Sequence, residues 1–144
     1  MKFYIVSGGV IVVVAAVVVG FLFWRRRPRT LKMDHFQDQW RALQQLLRDK
    51  TKWADAIVEA DKLLDAALKK KKFKGHSMGE RLVKAQRMFT DNDGVWFGHK
   101  LRNKIDADPT VKLKEAEVKQ ALVGIRQGLK DIGALPNGQS GNTK

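Results

Sequence analysis

Cysteine is absent from the 144 residues of the chain. A disulfide framework and a thiolate metal site are therefore excluded. Proline occurs only three times, and no alternation of apolar and polar residues is found after the first apolar segment. The rest of the chain is rich in Ala, Leu, Lys and Gln, which favour helix. The composition predicts an all-α protein.

Negative charge is scarce. Lys and Arg number 28 against 15 Asp and Glu, so the formal net charge is +13. An excess of this size indicates partners of opposite charge, either nucleic acid or the anionic face of a membrane.

The signatures of common enzymes are missing as well. The sequence has no P-loop, no GxGxxG and no GxSxG. His35, His76 and His99 stand far apart and do not have the spacing of a zinc site. We therefore expect no cofactor, no metal and no catalytic residue, and a protein that is not an enzyme.

Charge is also absent from Tyr4 to Trp24, a run of 21 mostly apolar residues. As an α-helix this run would be roughly 31 Å long, which matches the hydrocarbon thickness of a bilayer. A cleaved signal peptide is the alternative, but RRRPR follows the run where a small-residue cleavage site would stand. The sequence predicts a transmembrane anchor over residues 1–24.

A basic linker, residues 25–32, follows the predicted anchor. The positive-inside rule then puts the remainder of the chain in the cytoplasm, with the N-terminus outside a plasma (inner) membrane crossed once. The residues expected at the membrane interface, in contact with anionic headgroups, are Trp24, Arg25, Arg26, Arg27 and Arg29.

Residues 33–135 are predicted to form a cytoplasmic bundle of four main helices and one shorter element. The apolar spacing defines five segments: 34–48, 51–72, 77–89, 91–108 and 113–132. Ser77 and Glu80 have the spacing of a capping box, the sequence DNDG can cap the fourth helix, and Gly133 can end the fifth. A polar tail, residues 136–144, is predicted to be disordered.

Two places in the bundle are candidates for binding an anion or a partner. The first is the lysine run, defined as Lys69, Lys70, Lys71, Lys72 and Lys74, whose charge exceeds what a helix C-terminus needs. The second is the set His99, Arg102 and Asn103, which helical spacing puts on one side of the fourth segment.

The function of these groups is open at this stage. Arg102 and Asn103 can hold a phosphate, or they can bridge to Glu80 or Asp61 inside the bundle. Asp61 and Asp65 are expected on a solvated helix face, with Lys62 and Lys69 as their partners.

The order WADAIVEADKLLDAAL, a Lys/Gly loop, SMGERL and HKLRN resembles the HEPN helical domains over residues 50–132. The resemblance implies a small helical bundle, often dimeric, and RNA binding or metal-independent RNA cleavage. Arg102 and Asn103 match the first two positions of the family motif. The histidine expected four to six residues later is replaced by Asp106, Ala107 and Asp108. The resemblance therefore implies the fold more than the nuclease activity.

Two functions follow as expectations. The first is a membrane-anchored, non-enzymatic binding or scaffold module at the inner face of the membrane. Its partners would be anionic lipid headgroups and a cytoplasmic protein or RNA, and a homodimer is left open. The second is a membrane-tethered HEPN-like RNA-binding protein or ribonuclease.

Overall fold

The computed structural model describes residues 3–26 and 30–137. Within these ranges six α-helices and no strand are found, so the all-α prediction is confirmed. The helices are α1 (Phe3–Arg26), α2 (Met33–Leu46), α3 (Trp53–Lys70), α4 (Met78–Ala85), α5 (Asn92–Ala107) and α6 (Glu115–Asp131). Short 3₁₀ turns, Lys50–Lys52 and Gln86–Met88, precede α3 and follow α4.

The helices after α1 match the five predicted segments, with α4 as the short element. Boundaries differ by a few residues. Helix α2 begins at Met33 with Lys32 as its N-cap, so Asp34 lies in the first helical turn. There its carboxylate still faces the positive end of the helix dipole.

The predicted caps form as hydrogen bonds. Ser77 Oγ accepts a bond from the backbone N–H of Glu80 at 3.2 Å, and the Asp91 carboxylate accepts one from Gly94 at 2.9 Å. The Glu80 carboxylate reaches back to the N–H of His76, one residue before the position used in a capping box. Both helix starts are thus fixed by local sequence.

Helix α3 is the centre of the bundle, since it packs against α2, α4, α5 and α6. Its buried apolar residues, Ile57, Leu64 and Leu68 among them, are fully enclosed. Phe36 and Leu43 from α2, Leu82 from α4 and Ile125 and Leu129 from α6 complete the core.

Helices α5 and α6 make the most extensive contact in the bundle, and glycine allows it. A Cβ on Gly124 would lie 2.1 Å from the carbonyl oxygen of Gly94, and one on Gly98 would lie 2.6 Å from Ile125 Cγ1. The two backbones can approach this closely only because these side chains are absent.

Two helices end in Schellman motifs. After α6, Ala134 N–H donates to Leu129 O and Gly133 N–H to Lys130 O, with Gly133 at φ +81°, as predicted for this glycine. After α3, Lys72 occupies the same position at φ +65°. A lysine in this left-handed conformation is strained where glycine would not be.

Helix α1 carries the uncharged run, and its large apolar side chains from Val10 to Trp24 are exposed. Searched over the described part of the chain, no helix combines the length and hydropathy expected of a membrane span. The predictions for Arg27, Arg29 and most of the 136–144 tail fall outside the described residues.

Candidate functional site

Asp61 lies on α3 and is buried, with 1% of its surface exposed. The prediction that it belongs to a solvated face is wrong. Asp61 lies between Ile57 and Leu64 on the apolar face of α3, and this face packs against α5. A buried carboxylate needs donors close by.

His99 from α5 supplies the first donor. Its Nδ1 atom lies 3.2 Å from both carboxylate oxygens of Asp61, and His99 itself is 6% exposed. With Nδ1 donating to Asp61, the opposite nitrogen, Nε2, lies 3.5 Å from Asn103 Nδ2. The Trp96 ring meets the imidazole edge to face, at 5.8 Å between centroids.

Arg102 lies between two carboxylates. Its Nε atom is 3.8 Å from Asp61 Oδ2 and 3.0 Å from Asp106 Oδ2. The Nε–H group is buried and does not point at either oxygen with hydrogen-bonding geometry, so these contacts are ion pairs without a hydrogen bond at Nε. Both carboxylates therefore face the guanidinium charge.

The structure thus brings His99, Arg102 and Asn103 together, as their spacing predicts. It does not place all three on the surface. Asn103 is exposed and the Arg102 side chain is 28% exposed, whereas His99 is buried against Asp61. Arg102 makes the contact with Asp61, and Asn103 lies beside His99 instead.

A second ionic cluster joins α3 to α4. Arg81 donates two hydrogen bonds to Asp65, from Nε at 2.7 Å and from Nη2 at 3.1 Å, and a third from Nη1 to Gly75 O at 2.7 Å. Burial raises the pKa of Asp65, but the hydrogen bonds and charges of Arg81 and Lys69 outweigh it and hold the pKa below its usual value. This cluster fixes the loop that follows α3.

The lysine run is divided by its contacts. Lys69 pairs with Asp65 at 3.2 Å, as predicted, and the Lys70 ammonium lies 5.4 Å from the centre of the Phe36 ring. Lys72 donates a hydrogen bond to the carbonyl oxygen of Arg25 at the end of α1. Lys74 is exposed and Lys71 is partly buried. The run therefore stands beside the C-terminal end of α1.

Two residues predicted at the membrane interface have described side chains. Trp24 is 73% exposed, and the Arg25 guanidinium carbon lies 5.6 Å from the centre of the Phe21 ring.

Sequence reasoning missed Asp61 and Arg81 as buried charges. A signal for Asp61 existed, since it falls on the same helical stripe as Ile57 and Leu64. Arg81 gave a similar signal, since it falls between Met78 and Ala85 on the buried face of α4, but the spacing does not identify its partner Asp65. Among the described residues, no group of three or more His, Asp or Glu side chains is placed to hold a metal ion.

Comparison of the chain with protein-family models, with curated proteins and with solved structures found no match.

Proposed function

We propose that this chain is a membrane-anchored helical bundle whose cytoplasmic part acts as a non-enzymatic binding or scaffold module at the inner face of the membrane. One observation supports this most. The lysine run at the end of α3 stands at the end of the apolar helix α1, through the hydrogen bond from Lys72 to Arg25. Apolar surface and positive charge therefore meet at one place, where a bilayer has its anionic headgroups.

The conformation of Lys72 adds to the argument. Glycine is the residue that its left-handed backbone favours, and lysine there is less stable. Strained residues persist where another role needs the side chain. In this proposal the role is contact with lipid phosphate, to which each lysine near an anionic surface contributes about 1 kcal/mol.

The anchor itself is proposed from the sequence of Tyr4–Trp24 and from the exposure of apolar residues on α1. The arginines after Trp24 set its orientation, with the bundle in the cytoplasm. No described helix qualifies as a span on length and hydropathy, so the anchor has to be tested directly. Expressed in a bacterial membrane, the full chain should resist alkaline extraction, and Val14→Arg should release it. Release of the wild type under the same conditions would end the anchor proposal.

The lipid contact has its own test. The full chain is reconstituted in phosphatidylcholine nanodiscs with and without phosphatidylglycerol, and the exposure of the bundle to protease is compared. Anionic lipid should protect the wild type and not a Lys70→Gln, Lys71→Gln, Lys72→Gln variant. The matched control is Lys84→Gln, Lys100→Gln, Lys104→Gln, which removes equal charge from exposed positions elsewhere. Equal loss of protection in both variants would mean that the protection depends on net charge and not on the position of the lysine run.

A second candidate, a HEPN-like RNA-binding protein or ribonuclease, is favoured by one feature. His99 and Arg102 share Asp61, so a histidine stands near the arginine in space although it precedes it in sequence. Imidazole is the side chain suited to proton transfer near neutral pH. The carboxylates around Arg102 and the burial of His99 speak against phosphate binding there, which is why we rank this candidate second.

RNA binding by the full chain in detergent separates the two candidates. In the RNA reading, Arg102→Ala weakens binding about tenfold, and affinity falls steeply with salt. In the membrane-module reading, Arg102→Ala changes nothing, and any RNA binding disappears with the lysine run.

A further inference from the structure

A cleft between α2, α6 and the segment after α6 has a volume of about 200 Å³. Its wall carries three cationic side chains and no carboxylate. The residues that matter here are Gln37, Trp40, Arg41, Gln44, Arg126 and Lys130. All six side chains can donate hydrogen bonds.

Trp40 is 94% buried, with 6% of its surface exposed, and its indole nitrogen has no hydrogen-bond acceptor. The contrast with Trp53 is instructive, since that indole donates to Leu47 O at 3.0 Å. Buried donors are nearly always paired in folded proteins. The Trp40 N–H therefore lacks an acceptor that a bound group can supply.

Two of the three cations around Trp40, Arg126 and Lys130, have no ion-pair partner among the described residues. Arg126 and Lys130 are one turn apart on α6, where like charges repel. The nearest acid in sequence, Asp131, is occupied elsewhere, since it accepts bonds from Thr90 N at 2.8 Å and Gln127 Nε2 at 2.9 Å. Only Arg41 has a carboxylate close by, Asp38 at 3.7 Å, and that pair is solvent-exposed.

The helix dipole accounts for one of these charges. Lys130 lies in the last turn of α6, where a cation is favoured. Arg126 lies a turn earlier and Arg41 belongs to α2, so the dipole of α6 explains neither. An anionic ligand in the cleft would contact all three.

We propose that this cleft binds a phosphate group, held by Arg126, Lys130 and Arg41 and completed by the indole N–H of Trp40. A phosphate carries about one negative charge as a diester and up to about two as a monoester, and it accepts hydrogen bonds from several directions, which suits three cations and an N–H donor. The indole nitrogen has almost no exposed surface, so a bound phosphate has to displace neighbouring side chains to reach it. The cleft uses neither α1 nor the lysine run, and the proposal is independent of the membrane module.

The test uses the full chain, ¹⁵N-labelled in neutral detergent micelles, titrated with inorganic phosphate. The indole resonance of Trp40 is identified by its loss in Trp40→Phe. It should shift as phosphate is added, until the cleft is saturated. Arg126→Gln should weaken binding about tenfold, the value of one charge-assisted contact. Arg87→Gln is the matched control, an exposed arginine that does not line the cleft, and should change the Kd less than twofold.

Two results would overturn the proposal: a Trp40 indole resonance that does not move up to millimolar phosphate, or equal weakening by Arg126→Gln and Arg87→Gln. The source of the phosphate is read from a parallel titration with phosphatidylglycerol in the same micelles. Tighter binding of the lipid than of inorganic phosphate assigns the cleft to a lipid headgroup. The reverse order assigns it to a soluble phosphate compound.

Discussion

At the residue scale, the informative position is Lys72. It holds the left-handed turn that ends α3, with Phe73 N–H donating to Leu68 O and Lys72 N–H to Lys69 O. Lysine therefore occupies a place where its backbone conformation is costly and its charge faces the end of α1. If the Lys72 ammonium binds lipid, replacing Lys72 by glycine should raise the stability of the fold and weaken lipid binding.

We expect Lys72→Gly to raise the free energy of unfolding by about 1 kcal/mol, because the strain is relieved. Urea unfolding of the full chain in detergent measures this. Lys70→Gly is the control, since it puts glycine inside the last turn of α3, and it should lower stability by up to about 1 kcal/mol. A Lys72→Gly variant no more stable than wild type would contradict the strain argument.

Asp61 and Asp106 offer a matched pair, because both carboxylates contact Arg102 and differ in burial. The Asp61 side chain is 2% exposed and that of Asp106 is 49% exposed. Asp61→Asn should cost about 3 kcal/mol, since it removes the buried carboxylate that contacts both His99 and Arg102. Asp106→Asn should cost less than about 1 kcal/mol. Similar losses in thermal unfolding for the two variants would show that Asp61 is not the buried hub of the cluster.

Asp65 gives a pH dependence. Its pKa in the folded chain lies below the unfolded value, so its contribution to stability is complete above the ordinary carboxyl pKa. That contribution is lost as the pH falls through the lowered folded value. The difference in unfolding free energy between wild type and Asp65→Asn should thus shrink from neutral pH to about pH 3.

Glu59→Gln is the control for this titration, because the ion pair of Glu59 with Lys62 is exposed on both sides and contributes little. A wild-type advantage over Asp65→Asn that is constant across the acid range would contradict the linkage.

At the element scale, the packing of α5 on α6 depends on glycine. Gly124→Ala puts a methyl group against the backbone of Gly94, which cannot move as a side chain can. We expect a loss of about 3 kcal/mol in unfolding free energy. Gly79→Ala is the comparison, since its nearest contact is at 3.8 Å, and it should be neutral or stabilising. Equal changes in unfolding free energy for Gly124→Ala and Gly79→Ala would mean that α5 and α6 can move apart at little cost.

The elements themselves could be predicted from sequence, because apolar spacing and caps such as Ser77 and Asp91 act within one or two turns. The site could be predicted only in part. His99, Arg102 and Asn103 were grouped correctly by helical spacing. The partner of His99 is Asp61, 38 residues away, and its burial depends on how α3 and α5 pack. Local pattern carries no information on that contact, and the same holds for Gly94 against Gly124.

At the scale of the whole molecule, positive charge is distributed unevenly. The lysine run ends α3 beside α1, while the cleft around Trp40 collects Arg126 and Lys130 from α6. Eight of the 28 basic residues stand at these two surfaces. The charge predicted anionic partners from composition alone, but only the fold could divide it between two places.

Helix α3 has a last consequence. It packs against every other helix of the bundle, and the lysine run begins in its last turn. A ligand that holds its end should therefore slow the opening of the entire bundle, and not of the neighbouring turn alone. Hydrogen exchange measured with and without anionic lipid should show slower amide exchange in α5 and α6, which lack the lysine run, as well as in α3. Slowing confined to the end of α3 would mean that the bundle opens in separate parts.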